Sequence, residues 1–180
     1  RGGFFPVGRG PPPGGGTLKK RKIRGIDPKD RPRLQAILEA QNHFKAQEVK
    51  VALELIDIAL SQPVQQDYLI RCVENVEGEV QGYICYGKAP LTDAVYDVYW
   101  IVVHPDSWNR GFGSHLLNHA EEDLRRQNAR LLLIETSSLP SYASPRAFYQ
   151  KHGYVGKARV LDYYTVDEHK LIYGKTLGSG

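Results

Sequence analysis

The chain has 180 residues, 41% hydrophobic and 24% charged, with a formal net charge of +4. That is enough for one domain with a proper core, and no apolar run reaches the roughly 20 residues a membrane helix needs. The charge is unevenly placed. Residues 1–22 carry six Lys or Arg and no acid, so the remainder holds 18 basic against 20 acidic residues, a net of −2, and the folded body has no electrostatic case for binding nucleic acid.

In chain order, residues 1–16 contain 11 Gly or Pro and bury too little to offset their ordering entropy. The reading is a disordered tail or linker over 1–18 and a folded domain over 19–177. KKRK (19–22) reads as a solvated lead-in to a first strand at 19–26, with an anion-binding patch or nuclear signal as the alternative. DPKDRPRLQAILEAQ (27–41) reads as a helix with Leu34, Ile37, Leu38 and Gln41 on one face, and 46–60 as a second helix with Val49, Leu53, Ile56 and Leu60 at spacings of three and four. DYLIRCVEN (67–75) and EVQGYICYG (79–87) are strands joined by a turn at Glu77-Gly78, and 94–105 is a long strand rich in β-branched and aromatic residues. A helix at 113–128 follows. RLLLIETSS (130–138) suits a strand buried on both faces. A short helix at 144–153 and strands at 154–164 and 169–177 complete the chain. Strands alternate with helices only in the middle, which predicts a mixed sheet.

Cys72 and Cys85 lie in strand-like apolar runs without metal-ligand spacing and read as small buried hydrophobes. No basic start followed by an apolar core is present, so a reducing, cytoplasmic setting is expected. His115 and His119, four apart on a helix, lack a third ligand nearby and read as a solvent-facing stripe, so no metal is expected.

In HPDSWNRGFGSHLL (104–117), Gly111 and Gly113 stand where a helix begins. The first amides of a helix have no internal partner and its dipole favours negative charge, so bare backbone there suits a phosphate, with Arg110 adding charge. A plain tight turn is the alternative. The third glycine of a dinucleotide fingerprint and the Gly-Lys-Ser/Thr of a P-loop are both missing, which argues against NAD and ATP.

VVHPDSWNRGFGSHLL resembles the acetyl-CoA motif of the GCN5-related N-acetyltransferase (GNAT) family, which runs valine-hydrophobe-proline, a short turn, then Gln/Arg-x-x-Gly-x-Gly/Ala. Gly111 and Gly113 match its glycines and Arg110 its frequent basic residue, while Trp108 stands in the Gln/Arg slot. PRAFYQKHGY (145–154) resembles the family's late helix, and ETSS with LDYY and HKLIYGKTL resembles one bacterial branch. The resemblance implies an α/β (α+β) GNAT fold: a mixed, mostly antiparallel sheet splayed between its fourth and fifth strands, with helices on both faces.

It also implies an acetyl-CoA-dependent N-acyltransferase acting on a small-molecule or peptide amine. The pantetheine arm would lie between 98–103 and 131–137, meeting Ile101, Val102 and Val103. The pyrophosphate would meet the amides of Arg110, Gly111, Phe112, Gly113 and Ser114. Tyr149 falls at the family's position for the proton donor to the leaving thiolate, beside the cofactor; a core aromatic is the alternative. An acceptor amine near pKa 10.4 must lose a proton first. Asp97 and Glu135, each a lone carboxylate in an apolar strand, are the candidate bases, with a structural hydrogen bond or an outward face as the alternative for each. Tyr99 is a third candidate contact. Tyr96, Tyr99, Trp100, Tyr163 and Tyr164 either line an acceptor pocket or pack strands. Glu48, Glu54 and Asp57 favour a cationic substrate if any of them faces the cleft. A homodimer is left open. The competing reading is a catalytically inactive CoA-binding module, or one whose tail binds a partner.

Overall fold

The computed structural model describes residues 21–178; the expected tail and the start of the expected first strand lie outside them. A seven-stranded sheet runs in the order β1-β2-β3-β4-β5-β7-β6. The strands are β1 Ile23–Gly25, β2 Leu69–Glu74, β3 Val80–Lys88, β4 Val95–Val103, β5 Leu131–Ser137, β6 Val155–Thr165 and β7 Glu168–Thr176. The helices are α1 Arg31–Glu39, α2 Ala46–Ser61, α3 Phe112–Arg126 and α4 Ala143–Lys151. Only β4 and β5 pair in parallel. The expected element order and the mixed, mostly antiparallel sheet are both present.

Two hydrophobic clusters cover the two faces. Leu34, Ile37 and Leu38 of α1 pack with Ala52 and Ile56 of α2 against Cys72, Tyr83 and Cys85. Phe112, Leu116, Leu117, Ala120 and Leu124 of α3 pack on the other face against Ile84, Val98, Leu132 and Ile134. Both cysteines are free and buried, and burial pushes each thiol up to about 12.

Four readings are corrected. The first helix does not start at 27. A 3₁₀ turn at Pro28–Asp30 comes first, because Asp27 accepts from the Lys29 amide while the Asp30 carboxylate turns back to the Asp27 amide. The buried stripe of α2 is Ala52, Ile56 and Ala59, whereas Val49, Leu53 and Leu60 only flank it. β5 is buried on one face: Leu132, Ile134 and Thr136 are covered, Leu131 and Leu133 partly, and Glu135 is exposed. The first strand is limited to three residues, Ile23–Gly25, set by its pairing with Val73, Cys72 and Arg71.

Candidate functional site

β4 and β5 pair only from Val95↔Leu131 to Val98↔Ile134. Beyond that point β4 stays with β3 and β5 stays with β7. A bulge drives the separation: Tyr86 pairs with Val98 and Cys85 with Trp100, leaving Tyr99 as an extra residue that bends β4. A slot opens between residues 99–103 and 135–137.

Backbone direction decides what the slot offers. The His104 amide donates to the Gln81 carbonyl at 2.8 Å, towards β3. By strand alternation Val102 also faces β3, while Ile101 and Val103 face the slot. The Val103 carbonyl is already taken twice, by the Trp108 indole Nε1 at 2.9 Å and the Gln41 side-chain amide at 3.1 Å, which fills both its lone pairs. Of the three expected backbone contacts, Ile101 therefore keeps both groups free, Val103 keeps only its N–H, and Val102 contributes no main-chain group. Trp108 supplies a strut to β4 from the slot where the family motif has Gln or Arg.

The glycine loop follows a 3₁₀ turn at Pro105–Ser107 held by the Ser107 hydroxyl on Gln81 at 2.7 Å. Asn109 (φ +57°) and Gly111 (φ +82°) are both left-handed, and they swing the chain into α3. Gly111 is its N-cap and makes no side-chain cap bond, so the first amides of this 15-residue helix have no helical partner. A Cβ at Gly113 would meet the Phe148 ring at 3.4 and 3.5 Å, an ordinary contact, so the packing of α4 does not by itself require a glycine there. Arg110 is exposed and off the cavity wall. The cation beside the loop is Arg21, whose guanidinium lies 4.2 Å over the Phe112 ring, with Nη1 3.1 Å from the place a Gly111 Cβ would take. The reading of KKRK as a solvated lead-in therefore fails at Arg21.

Slot and loop are two walls of one cavity of about 1160 Å³. Tyr149 lines it from α4 and is 7% exposed, and its hydroxyl takes part in no hydrogen bond among the described residues. Burial alone raises its pKa well above the ordinary phenol value. Ser114 meets His152 Nε2 at 2.9 Å, while His152 Nδ1 meets the Phe148 carbonyl, also at 2.9 Å. A carbonyl only accepts, so Nδ1 carries the proton and, in the neutral ring, the Ser114 hydroxyl donates to Nε2.

The two carboxylate candidates differ. Glu135 is on the cavity wall but is not lone: it is 48% exposed and pairs with Lys170 at 2.7 Å. Asp97 is half-buried and off the wall. Its pKa is raised, first by desolvation and then by the charge of Glu135, against the opposing pull of Lys170. Tyr99 packs edge-on against Tyr68 at 5.4 Å. Of the five aromatics, only Trp100 and Tyr164 reach the cavity. Glu48 does face it, whereas Glu54 and Asp57 line a separate groove outside α1 and α2. Sequence reasoning missed Tyr142, whose hydroxyl donates to Glu48 at 2.6 Å, and Glu168, 6% exposed on the cavity wall. No local signal marks either one. His115 meets the Arg21 carbonyl, and among the described residues no three metal-binding side chains gather at one point.

A model of the acetyltransferase (GNAT) family matches residues 34–154. A GNAT-family protein from Desulfovibrio desulfuricans is 31% identical, with 88% of this chain and 100% of that one covered and a TM-score of 0.84. The chain belongs to the GNAT acetyltransferase family. Two solved structures at 18% identity share the fold of this GNAT protein. The ribosomal-protein-S18-alanine N-acetyltransferase of Escherichia coli has a TM-score of 0.71 over 89% of this chain and 96% of its own. YncA of Salmonella typhimurium, solved with its cofactor acetyl-CoA, has a TM-score of 0.68 over 89% and 96%. No curated protein sequence matches significantly. Among the described residues no helix is long and apolar enough to cross a membrane.

The cavity of this GNAT chain fits the cofactor on physical grounds. A diphosphate needs bare amides and a cation: α3 supplies the amides, Lys151 lies on the cavity wall, and Arg21 stands beside the loop. An extended amide arm needs unpaired strand backbone, and Ile101 supplies it.

Proposed function

We propose that this GNAT protein transfers the acetyl group of acetyl-CoA to a primary amine, the thioester being attacked directly. The observation that carries the reading is the β4–β5 slot, which leaves the main chain of Ile101 unpaired and opens beside the Tyr149 hydroxyl and the N-terminus of α3. The amides of Phe112, Gly113 and Ser114 hold the diphosphate, with Arg21 beside Gly111 joining Arg110 as a supporting cation. Acetyl-CoA supplies the activated acyl group.

The chain's own residues then handle two protons. Glu135, on the wall, takes the proton of the incoming ammonium, directly or through water. Asp97, off the wall, is the alternative base, its pKa raised by desolvation and by the charge of Glu135. The Tyr149 phenol, kept protonated by burial, gives its proton to the departing sulfur. The amide of Ile101 or Val103 faces the developing oxyanion. A reducing, cytoplasmic setting is part of this reading, and the free thiols Cys72 and Cys85 support it.

Calorimetric titration with acetyl-CoA, CoA, ATP and NAD tests the cofactor assignment, followed by thiol release in the presence of amines. Micromolar binding of the CoA species alone is expected. Equal binding of ATP or NAD, or no binding of CoA species, overturns it.

A further inference from the structure

Past Tyr149 the cavity is walled by the first turns of α2, the turn before α4 and the start of β7. Three carboxylates reach it there: Glu48, Glu135 and Glu168. Their cations are few. Lys170 is held by Glu135 and lies 4.2 Å over the Tyr163 ring, off the wall. Lys151, also on the wall, belongs to the phosphate end beside His152. That leaves Lys45, whose side chain is 70% exposed and whose Nζ stops 3.6 Å from Glu168 Oε2.

Glu168 is the informative group. A carboxylate this buried is costly unless both oxygens are satisfied. Its Oε1 takes the Ser137 hydroxyl at 2.9 Å, and Oε2 makes an ion pair with Lys45 at 3.6 Å. That partner is a solvated side chain, 70% exposed, so the buried carboxylate holds a cation that a ligand ammonium can displace. Around it stand rings suited to receive one. Tyr142 is held by its bond to Glu48 and by an edge contact with His43 at 5.1 Å. Tyr164 lies on the same wall. The Tyr142 phenol is pushed up by burial, by its bond to Glu48, and by the charges of Glu48 and Glu168, so both carboxylates act on this one ring.

Resting on the acetyl-transfer reading above, we infer that the acceptor is a small amine carrying a second positive charge, which seats against Glu168 and Glu48 beside the Tyr142 ring while the amine to be acylated points at the slot. The second ammonium takes the place of the Lys45 side chain at Glu168. An acceptor with a carboxylate in that position meets repulsion instead.

The test uses the full chain saturated with CoA and three probes of equal reach: 1,4-diaminobutane, butylamine and 4-aminobutanoate. Calorimetry is expected to show the diamine bound at least tenfold more tightly than butylamine, and 4-aminobutanoate most weakly. Glu168→Gln keeps the shape and an acceptor for Ser137, and it should close that gap to under threefold with acetyl-CoA affinity retained, which also reports an intact fold. Lys45→Ala removes the competing cation from an exposed position and should tighten diamine binding two- to threefold. Equal binding of diamine and butylamine, preference for 4-aminobutanoate, no binding of any probe, or weaker diamine binding in Lys45→Ala each overturns the inference. Failure of acetyl-CoA itself to bind overturns the acetyl-transfer reading instead, so the two failures are distinguishable.

Discussion

Replacing Tyr149 by Phe separates a catalytic hydroxyl from a structural one. In the folded chain this hydroxyl opens on the cavity and makes no hydrogen bond among the described residues, so the substitution orphans no partner. A hydroxyl that opens on the cavity carries no full desolvation cost, and Tyr149→Phe should leave stability unchanged to within about 0.5 kcal/mol. For a chain of this size that is a shift of no more than about 2 °C in Tm. The turnover effect is large by contrast. Loss of a general acid costs about 10²–10⁴ in rate, or about 3–5 kcal/mol in barrier at 1.36 kcal/mol per decade. Thermal unfolding, acetyl-CoA calorimetry and thiol-release kinetics on one preparation give all three quantities. The pH profile adds a fourth. Because burial raises the phenol pKa, the acid form persists through the ordinary tyrosine range near pH 10, and wild-type activity should not fall there through this group. Unchanged kcat in Tyr149→Phe would refute the acid role. A Tm lowered by several degrees would show that the hydroxyl does have a structural partner.

Gly111→Ala forces a Cβ into a left-handed conformation and should cost about 1–2 kcal/mol, whereas Gly113→Ala gains about 1 kcal/mol of helix propensity against an ordinary contact with Phe148 and should be neutral or stabilising; urea denaturation compares the two. Arg21→Gln should weaken acetyl-CoA binding five- to tenfold at low salt, and the difference should shrink at 0.5 M NaCl if the contribution is Coulombic; a salt-independent or absent difference counts against it. Asp30 gives a pH dependence. Burial raises its pKa, but the bonds from Arg24 and the Asp27 amide outweigh that and the net shift is downward. Its stabilisation is therefore present above the unfolded carboxylate value near 3.9 and is lost as pH falls through the lower folded value. Urea midpoints measured from pH 6 to pH 2.5 should show this acid loss in the wild type and a flatter profile in Asp30→Asn.

Periodicity carried the helices because α1 and α3 present a clean apolar stripe, and β-branched and aromatic content carried the strands. It misled where close approach mattered more than hydrophobic area: α2 lies against the sheet on Ala52 and Ala59, which a count of large apolar residues passes over. The splay of β4 from β5 was legible only through the family resemblance, since a single extra residue at Tyr99 leaves no compositional trace. Arg21 reaches the loop because β1 pairs with β2 at the sheet edge, a long-range fact that a run of four basic residues does not encode. The same holds for the acceptor wall, where Tyr142 meets Glu48 across 94 positions. Apolar strand neighbours make Glu135 a candidate base with an outward face as the alternative; the outward exposure is what the fold shows, and Lys170, which pairs with it, arrives from β7.

The carbonyl oxygen of Val103 receives one bond from Gln41, just past α1, and another from Trp108 ahead of the glycine loop. The segment that follows α1 walls the acceptor end, and the loop walls the phosphate end, so one atom is a shared fastening point for the two halves of the cavity. Trp108 and Gln41 are thus tied to one another through a single acceptor. Under the acetyl-transfer reading, that one atom sets the spacing between the diphosphate end and the amine end.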